Sequence, residues 1–281
     1  NKDKMTQDKI SQIQQVQMEI MDEIHRVCVQ QGYRYYLIGG SALGAIRHKG
    51  IIPWDVDIDI AMPRKDYELF ITEGTAHLNN KLSVHYYKTD KEYATVHALV
   101  ALKDSEIKFR GETAEGIRYG IFVDVLPLDQ WPDNEELKIQ QQKDLKHIQM
   151  LRALRFGVIY GTTNQIKSIA KKTTKLFMSL FFTKQDLNRR QQEIMQRYNS
   201  LDEGKEWCSM VSHYSFDKTT FPKEIFGTPR LSEFSGRQYF VPEKVEEYLS
   251  HLFGDYTKLP SVESQTKLMN SVIYASWISQ S

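Results

Sequence analysis

Three aspartates occupy alternate positions in the run Ile52-Pro53-Trp54-Asp55-Val56-Asp57-Ile58-Asp59-Ile60. In extended backbone, alternate side chains face the same way. Asp55, Asp57 and Asp59 therefore share one face, and Val56, Ile58 and Ile60 share the other. Carboxylates crowded on one face repel one another unless a cation sits among them. Their hard oxygens suit Mg²⁺, with Mn²⁺ as an alternative, and Mg²⁺ is commonly shared with substrate phosphates. Shortly upstream, Gly39-Gly40-Ser41 follows the apolar run Tyr35-Tyr36-Leu37-Ile38. A glycine turn opening a helix offers backbone N–H groups to phosphate oxygens, and glycine permits close approach. Arg47, His48 and Lys49 place positive charge beside the same anions. A third acid, Asp124, interrupts the apolar run Ile121-Phe122-Val123-Asp124-Val125, where a lone buried carboxylate is costly unless paired or metal-bound.

Taken singly, a Gly-Gly-Ser turn or an Asp-x-Asp pair is ordinary. Together they form a set suited to phosphoryl or nucleotidyl transfer, in which Asp57, Asp59 and Asp124 bind metal. A divalent ion neutralises the phosphate charge and orients the attacking oxygen, and most of the remaining catalysis is positioning and electrostatics. Asp124 is also placed to help deprotonate the acceptor hydroxyl.

The elements that must position these groups are legible in the periodicity. Ile10, Ile13, Val16, Ile20, Ile24 and Val27 recur at helical spacing and predict a helix over 5–30, closed by Gly32. A short strand over 35–38 follows. Ser41 is the expected N-cap of a helix reaching Arg47. The acidic strand is expected over 55–62 and a helix over 64–73. Further strands are predicted over 82–87, 97–103, 107–110 and 118–126. From Lys138 to Ser200 the chain is basic, Gln-rich and strand-poor, and reads as several helices. Strand-like pieces over 208–214 and 238–241 and a helix over 243–253, ended by Gly254, complete the reading. This gives three regions: a catalytic core over 1–130, a basic helical insertion over 131–200, and a part over 201–281 that packs back on the core.

The bulk numbers exclude little. At 281 residues, 41% hydrophobic and 26% charged, with a formal net charge of +1, the composition is that of a soluble globular protein with an ample core. Cys28 and Cys208 match neither a metal spacing nor a disulfide framework. No stretch is long and apolar enough to span a membrane, so the expected location is cytoplasmic.

Strand, Gly-Gly-Ser and then Asp-Ile-Asp resembles the nucleotidyltransferase fold of the polymerase β type. The run Leu43-Gly44-Ala45-Ile46-Arg47-His48-Lys49-Gly50-Ile51-Ile52-Pro53-Trp54-Asp55-Val56-Asp57-Ile58-Asp59-Ile60 resembles the signature of the LicD family. Arg64-Lys65-Asp66-Tyr67, Phe122-Val123-Asp124-Val125-Leu126-Pro127-Leu128-Asp129 and Phe253-Gly254-Asp255-Tyr256 agree with it. The resemblance implies an α+β fold with a mixed sheet and a helical insertion or cap. It implies transfer of phosphocholine or a phospho-polyol from a CDP-linked donor (choline, ribitol or glycerol) with release of CMP. The acceptor would be a sugar hydroxyl of a cell-surface glycan, a teichoic-acid-type precursor or a lipid-linked glycan. Carried over residue by residue, Asp57, Asp59 and Asp124 bind Mg²⁺, and Gly40 and Ser41, in the Gly39-Gly40-Ser41 turn, contact the donor phosphates. Arg47, His48 and Lys49 stabilise the diphosphate, and Asp55 and Asp129 support or position substrate. Val56 stands where the family usually has a further acid. Strand parity turns it away from the acidic face and leaves the metal ligands untouched.

Two other readings compete. A nucleotidyltransferase would attack the α-phosphorus of a nucleoside triphosphate and release pyrophosphate. A non-catalytic glycan-binding relative would have to tolerate the repulsion of an unused acid cluster. The basic block is either a solvated helical cap or, through the mixture of lysines and bulky apolar residues in Ile166-Lys167-Ser168-Ile169-Ala170-Lys171-Lys172 and Lys175-Leu176-Phe177-Met178-Ser179-Leu180-Phe181-Phe182, a peripheral contact with the inner face of the membrane or a binding surface for the polyanionic acceptor itself. A nucleic-acid partner is disfavoured.

Overall fold

The computed structural model describes residues 7–109, 119–156, 176–200 and 204–277. The first helix, α1 (Gln7–Gln31), buries the predicted stripe of Ile10, Ile13, Val16, Ile20, Ile24 and Val27. It ends at Gly32, whose φ of +74° suits a residue without a side chain. The chain then forms β1 (Tyr36–Leu37), α2 (Gly39–Arg47), β2 (Asp59–Pro63), α3 (Arg64–Thr72), β3 (Leu82–His85), β4 (Ala98–Leu102), β5 (Ser105–Phe109) and β6 (Phe122–Gln130). Two long helices follow, α4 (Glu135–Phe156) and α5 (Lys184–Gln196). The last part holds β7 (Glu206–Cys208), α6 (Phe216–Thr219), β8 (Thr220–Pro222), α7 (Lys223–Phe226), β9 (Arg230–Phe234), β10 (Arg237–Val241), α8 (Val245–Phe253), α9 (Val262–Met269) and β11 (Val272–Trp277).

The architecture is α+β with a mixed sheet. Along the order β1-β2-β6-β4-β3, only the β2–β6 pair is parallel. β5 pairs with β11, and β9 with β10, both antiparallel. The β9–β10 hairpin turns at Ser235-Gly236, both at positive φ (52° and 77°), as a two-residue hairpin loop requires. Ser235 donates its N–H to the Lys49 carbonyl at 2.6 Å and so pins the chain just after α2.

Two compact units divide the chain. The first comprises residues 1–85, 97–128 and 206–281. The second comprises 86–96 and 129–205, and α4 packs on α5 within it. There, side-chain amides replace a missing ladder: Asn188 and Gln192 donate to the carbonyls of Tyr93 and Val96 at 2.8 and 2.6 Å. Arg152 donates to the Ala94 carbonyl at 2.9 Å. Buried carbonyls need such partners wherever no strand supplies them.

Most elements stand where the periodicity places them, with three corrections. The acidic strand begins at Asp59 rather than Asp55, because residues 55–58 have no ladder partner. Ser41 does not cap α2: the helix begins at Gly39 and its N-cap is Ile38. The strand expected over 208–214 ends at Cys208. Arg110, Arg118 and residues 157–175 lie outside the described residues. No helix among the described residues is long and apolar enough to cross a membrane.

Candidate functional site

The acid-bearing segment is held by α1 on one side and by β6 on the other. Gln14 donates to the carbonyls of Asp55 (2.8 Å) and Ile52 (3.2 Å), and Gln17 donates to those of Val56 (2.8 Å) and Phe122 (3.3 Å). These amides satisfy backbone that a ladder would otherwise serve. The expected alternation survives without the ladder. Val56, Ile58 and Ile60 are buried, and Asp55, Asp57 and Asp59 are partly exposed. The ladder starts where the second acid pair forms. Asp59 stands directly opposite Asp124 in the parallel β2–β6 register, and the Asp124 N–H donates to the Ile58 carbonyl at 2.9 Å. The two carboxylates therefore leave neighbouring strands on the same face.

Ser41 fixes this arrangement from α2. Its hydroxyl accepts the Asp59 N–H at 2.9 Å, and the Ile38 N–H donates to the Asp59 carbonyl at 3.1 Å. The glycine turn is locked in the same way. The Gly39 N–H donates to the Tyr248 hydroxyl at 3.0 Å, and the Ser41 and Ala42 N–H groups both go to the Ile38 carbonyl. The Gly40 N–H is left without an acceptor among the described residues. It sits beside the acids: a methyl group added at Gly40 would meet the Asp55 Oδ2 at 2.7 Å. Gly39 has a φ of +51° and space toward Asp59.

These groups line one cavity of about 740 Å³ within the first unit. Gly39, Gly40, Asp55, Asp57, Asp59 and Asp124 form its polar end, and Trp54, Tyr214, Phe253 and Tyr256 supply aromatic wall. The volume suits a nucleotide-sized ligand. Burial, followed by the charges of Asp59 and Asp55, pushes the Asp57 carboxyl well above its ordinary value. Asp59 is raised in the same way, by burial and then by Asp124. Asp55 is raised by burial, with a hydrogen bond from Asp57 opposing. Tyr214 reports the same field from across the cavity: burial and then the charges of Asp55, Asp59 and Asp57 raise its phenol.

This donor set fits a hard divalent cation on its chemistry, since it is all carboxylate oxygen, mutually repelling and open to the cavity. No group of three or more His, Cys, Asp or Glu side chains among the described residues is gathered closely enough to hold an ion alone. Mg²⁺ commonly takes one or two carboxylates and completes its shell with water and substrate phosphate.

The other predicted residues fall further out. Ser41 is buried and acts on Asp59 rather than facing the cavity. Arg47 lines the cavity but also ties down the 255–260 loop, donating through Nη1 to the carbonyls of Tyr256 (2.8 Å) and Lys258 (3.0 Å). His48 stands edge-on to Trp54 with ring centroids 5.5 Å apart. Lys49 is used through its carbonyl by the β9–β10 turn, and neither His48 nor Lys49 lines the cavity. Asp129 belongs to the second unit, where it is fully buried and accepts from Asn199 Nδ2 at 2.6 Å.

Three residues escaped the sequence reading. His97 contacts Asp124 Oδ1 through Nε2 at 2.7 Å and lines the cavity. Its signal was a polar residue heading an otherwise apolar strand. Tyr248 and Tyr214 come from the late part of the chain, and nothing in their spacing distinguishes them from core aromatics.

Comparison with known proteins now bears on this geometry. The family profile described as "LicD/FKTN/FKRP, nucleotidyltransferase domain" matches residues 32–133, the span that carries Gly39, Gly40 and every cavity acid from Asp55 to Asp124. The lipopolysaccharide cholinephosphotransferase LicD of Haemophilus influenzae is 29% identical over 257 residues, covering 90% of this chain and 92% of that protein. Residues 32–133 thus match the LicD-type domain. A second relative, the ribitol 5-phosphate transferase FKRP of Homo sapiens, is 57% identical over 35 residues, or 12% of this chain and 7% of that one.

Proposed function

We propose that this protein transfers phosphocholine, or a related phospho-polyol, from a CDP-linked donor to a sugar hydroxyl of a cell-surface glycan or its lipid-linked precursor, releasing CMP. The observation that carries the reading is one cavity lined both by Gly40, whose N–H has no acceptor among the described residues, and by the acid set of Asp57, Asp59 and Asp124. An N–H donor beside a cation-requiring acid cluster is suited to a diphosphate. The α+β core with its mixed sheet is proposed to be of the polymerase β nucleotidyltransferase type, in keeping with the name of the family domain.

In this reading the Gly40 N–H and the N-terminus of α2 donate to a phosphate oxygen, with Arg47 at the same wall. Mg²⁺ held by Asp57 and Asp59, with Asp124 beside it, would neutralise the diphosphate and lower the barrier to attack by a hydroxyl. The acceptor hydroxyl attacks the distal phosphorus. The bond from that phosphorus to the bridging oxygen breaks, and CMP leaves with the bonding pair. The hydroxyl proton passes to Asp124, at the oxygen that His97 does not hold. His97 keeps the other oxygen in place, a supporting contact of the kind that orients metal-binding carboxylates. The aromatic wall of Trp54, Tyr214, Phe253 and Tyr256 excludes water and offers π faces to a quaternary ammonium group. Choline is favoured over ribitol because the relative aligned along nearly its whole length is a cholinephosphotransferase.

The test is a donor panel. The protein is incubated with Mg²⁺, a glycan acceptor and CDP-choline, CDP-ribitol, CDP-glycerol or a nucleoside triphosphate. CMP formed with one CDP-linked donor, and lost in Asp57→Ala and Asp124→Ala, is the expected result. Pyrophosphate released from a triphosphate would instead favour a nucleotidyltransferase.

A further inference from the structure

In the second unit, the helical residues 176–181 carry an apolar face that the described residues leave exposed. Leu176, Phe177, Leu180 and Phe181 are 68%, 61%, 74% and 65% exposed, whereas Met178 between them is 8% exposed. Their spacing of one, three and one residues puts all four on one side of the helix. The Phe177 and Phe181 rings pack on each other with centroids 5.1 Å apart, so the face is a continuous patch. Contiguous exposed apolar surface of this kind marks an interaction site.

The charges around the patch decide what covers it. Between Asp144 and Asp186 the sequence has no acidic residue. Two basic side chains of that stretch turn inward, Arg152 onto Asn188 and Gln191, and Lys184 onto Glu92. One more of that stretch, and one just beyond it, contact Phe182, the residue that follows the patch. Arg155 donates to the Phe182 carbonyl at 2.9 Å, and the exposed Arg190 lies 5.5 Å from the Phe182 ring centroid. In sequence, Lys167, Lys171, Lys172 and Lys175 precede Leu176. A second copy of the chain would bring basic residues against their equals, and the acids that follow them, Asp186 and Glu193, are already paired with Arg189. A nucleic acid would leave Leu176 and Leu180 without an apolar partner. An anionic bilayer satisfies both features, because its acyl boundary takes the leucines and phenylalanines while its headgroups take the arginines and lysines.

We infer that the Leu176, Phe177, Leu180 and Phe181 face docks on an anionic lipid surface. The helix lies in the interface without crossing it, and the long basic side chains spread toward the headgroups. The inference does not depend on the identity of the transferred group, so its failure leaves the proposed reaction standing.

Sedimentation of the full chain with vesicles tests it. Phosphatidylcholine vesicles with and without phosphatidylglycerol are compared at low and at physiological salt. Two separate variants are used, Leu176→Ser with Phe177→Ser, and Leu180→Ser with Phe181→Ser. All four positions are exposed, and unchanged thermal unfolding verifies the fold. The expected result is binding to anionic vesicles that weakens with salt, is absent on neutral vesicles, and drops about tenfold or more in each double variant. Absence of binding to anionic vesicles at low salt would overturn the inference. So would binding that both double variants retain in full, or a dimer seen by sedimentation velocity that the same substitutions dissolve.

Discussion

Neutralising one member of the acid cluster is predicted to stabilise the metal-free protein while it destroys the site. Asp59 and Asp124 face each other across the parallel β2–β6 pair, where adjacent strands lie about 4.8 Å apart. Two full charges at that separation repel by about 3 kcal/mol at an effective dielectric constant of about 20. Proton uptake relieves part of this, so the Asp59→Asn variant should gain about 1–2 kcal/mol in chelator at neutral pH, roughly 5 °C in melting temperature for a chain of this size. The sign with pH follows from the raised pKa values of Asp57 and Asp59. The folded state holds protons that the unfolded state releases. The stability they contribute is complete below the ordinary carboxylate value of 3.8 and is lost as pH rises through the higher folded values. In chelator the advantage of Asp59→Asn should therefore be small near pH 4 and grow toward pH 7. Adding Mg²⁺ should raise the melting temperature of the natural protein and barely move the variant. Calorimetry at several pH values, with chelator and with Mg²⁺, reads all of this. A variant less stable than the natural protein in chelator at neutral pH, or an equal response of both to Mg²⁺, would refute the argument.

Gly40→Ala puts a methyl group 2.7 Å from Asp55 Oδ2. The turn or the carboxylate must shift, and activity should fall about a hundredfold with little change in stability. Gly39→Ala has room but must hold φ at +51°. It should cost about 1 kcal/mol of stability, visible in urea unfolding, with activity largely kept. His97→Ala should raise the Mg²⁺ concentration needed for half-maximal activity by about 10–100-fold, and His97→Gln should recover part of it. Measuring Mn²⁺ binding directly separates this from damage to the fold. Tyr248→Phe strips the acceptor from the Gly39 N–H and should cost about 1 kcal/mol in thermal unfolding.

The fold and the acids were legible for different physical reasons. The stripe of α1 and the glycine stops at Gly32 and Gly254 follow from local periodicity and backbone conformation, which a sequence carries directly. The acid face of Asp55, Asp57 and Asp59 was read from strand parity. It survives in a segment that is not a ladder, because Gln14 and Gln17 meet its carbonyls. Those glutamines looked like the polar face of a helix. Their partners lie about forty residues away, and periodicity is blind to such contacts. Ser41 illustrates a related limit. Its type suits a cap, but the Asp59 N–H offered the hydroxyl a better-placed partner, and the helix began three residues earlier. His97, Tyr214 and Tyr248 reach the cavity only through tertiary packing, and single residues leave no period. Arg47, His48 and Lys49 were grouped by adjacency. The end of α2 and the turn after it spread them, and only Arg47 remains at the wall.

The most direct test of the central claim is the identity of the group added to the acceptor. The glycan product is isolated from a reaction with Mg²⁺ and a CDP-linked donor and weighed by mass spectrometry, with CMP measured in the same vessel. The expected outcome is a glycan heavier by one phospho-alcohol group, equimolar CMP, and neither product in Asp124→Ala. A glycan carrying a nucleotidyl group, or full product formation by Asp124→Ala, would contradict the account.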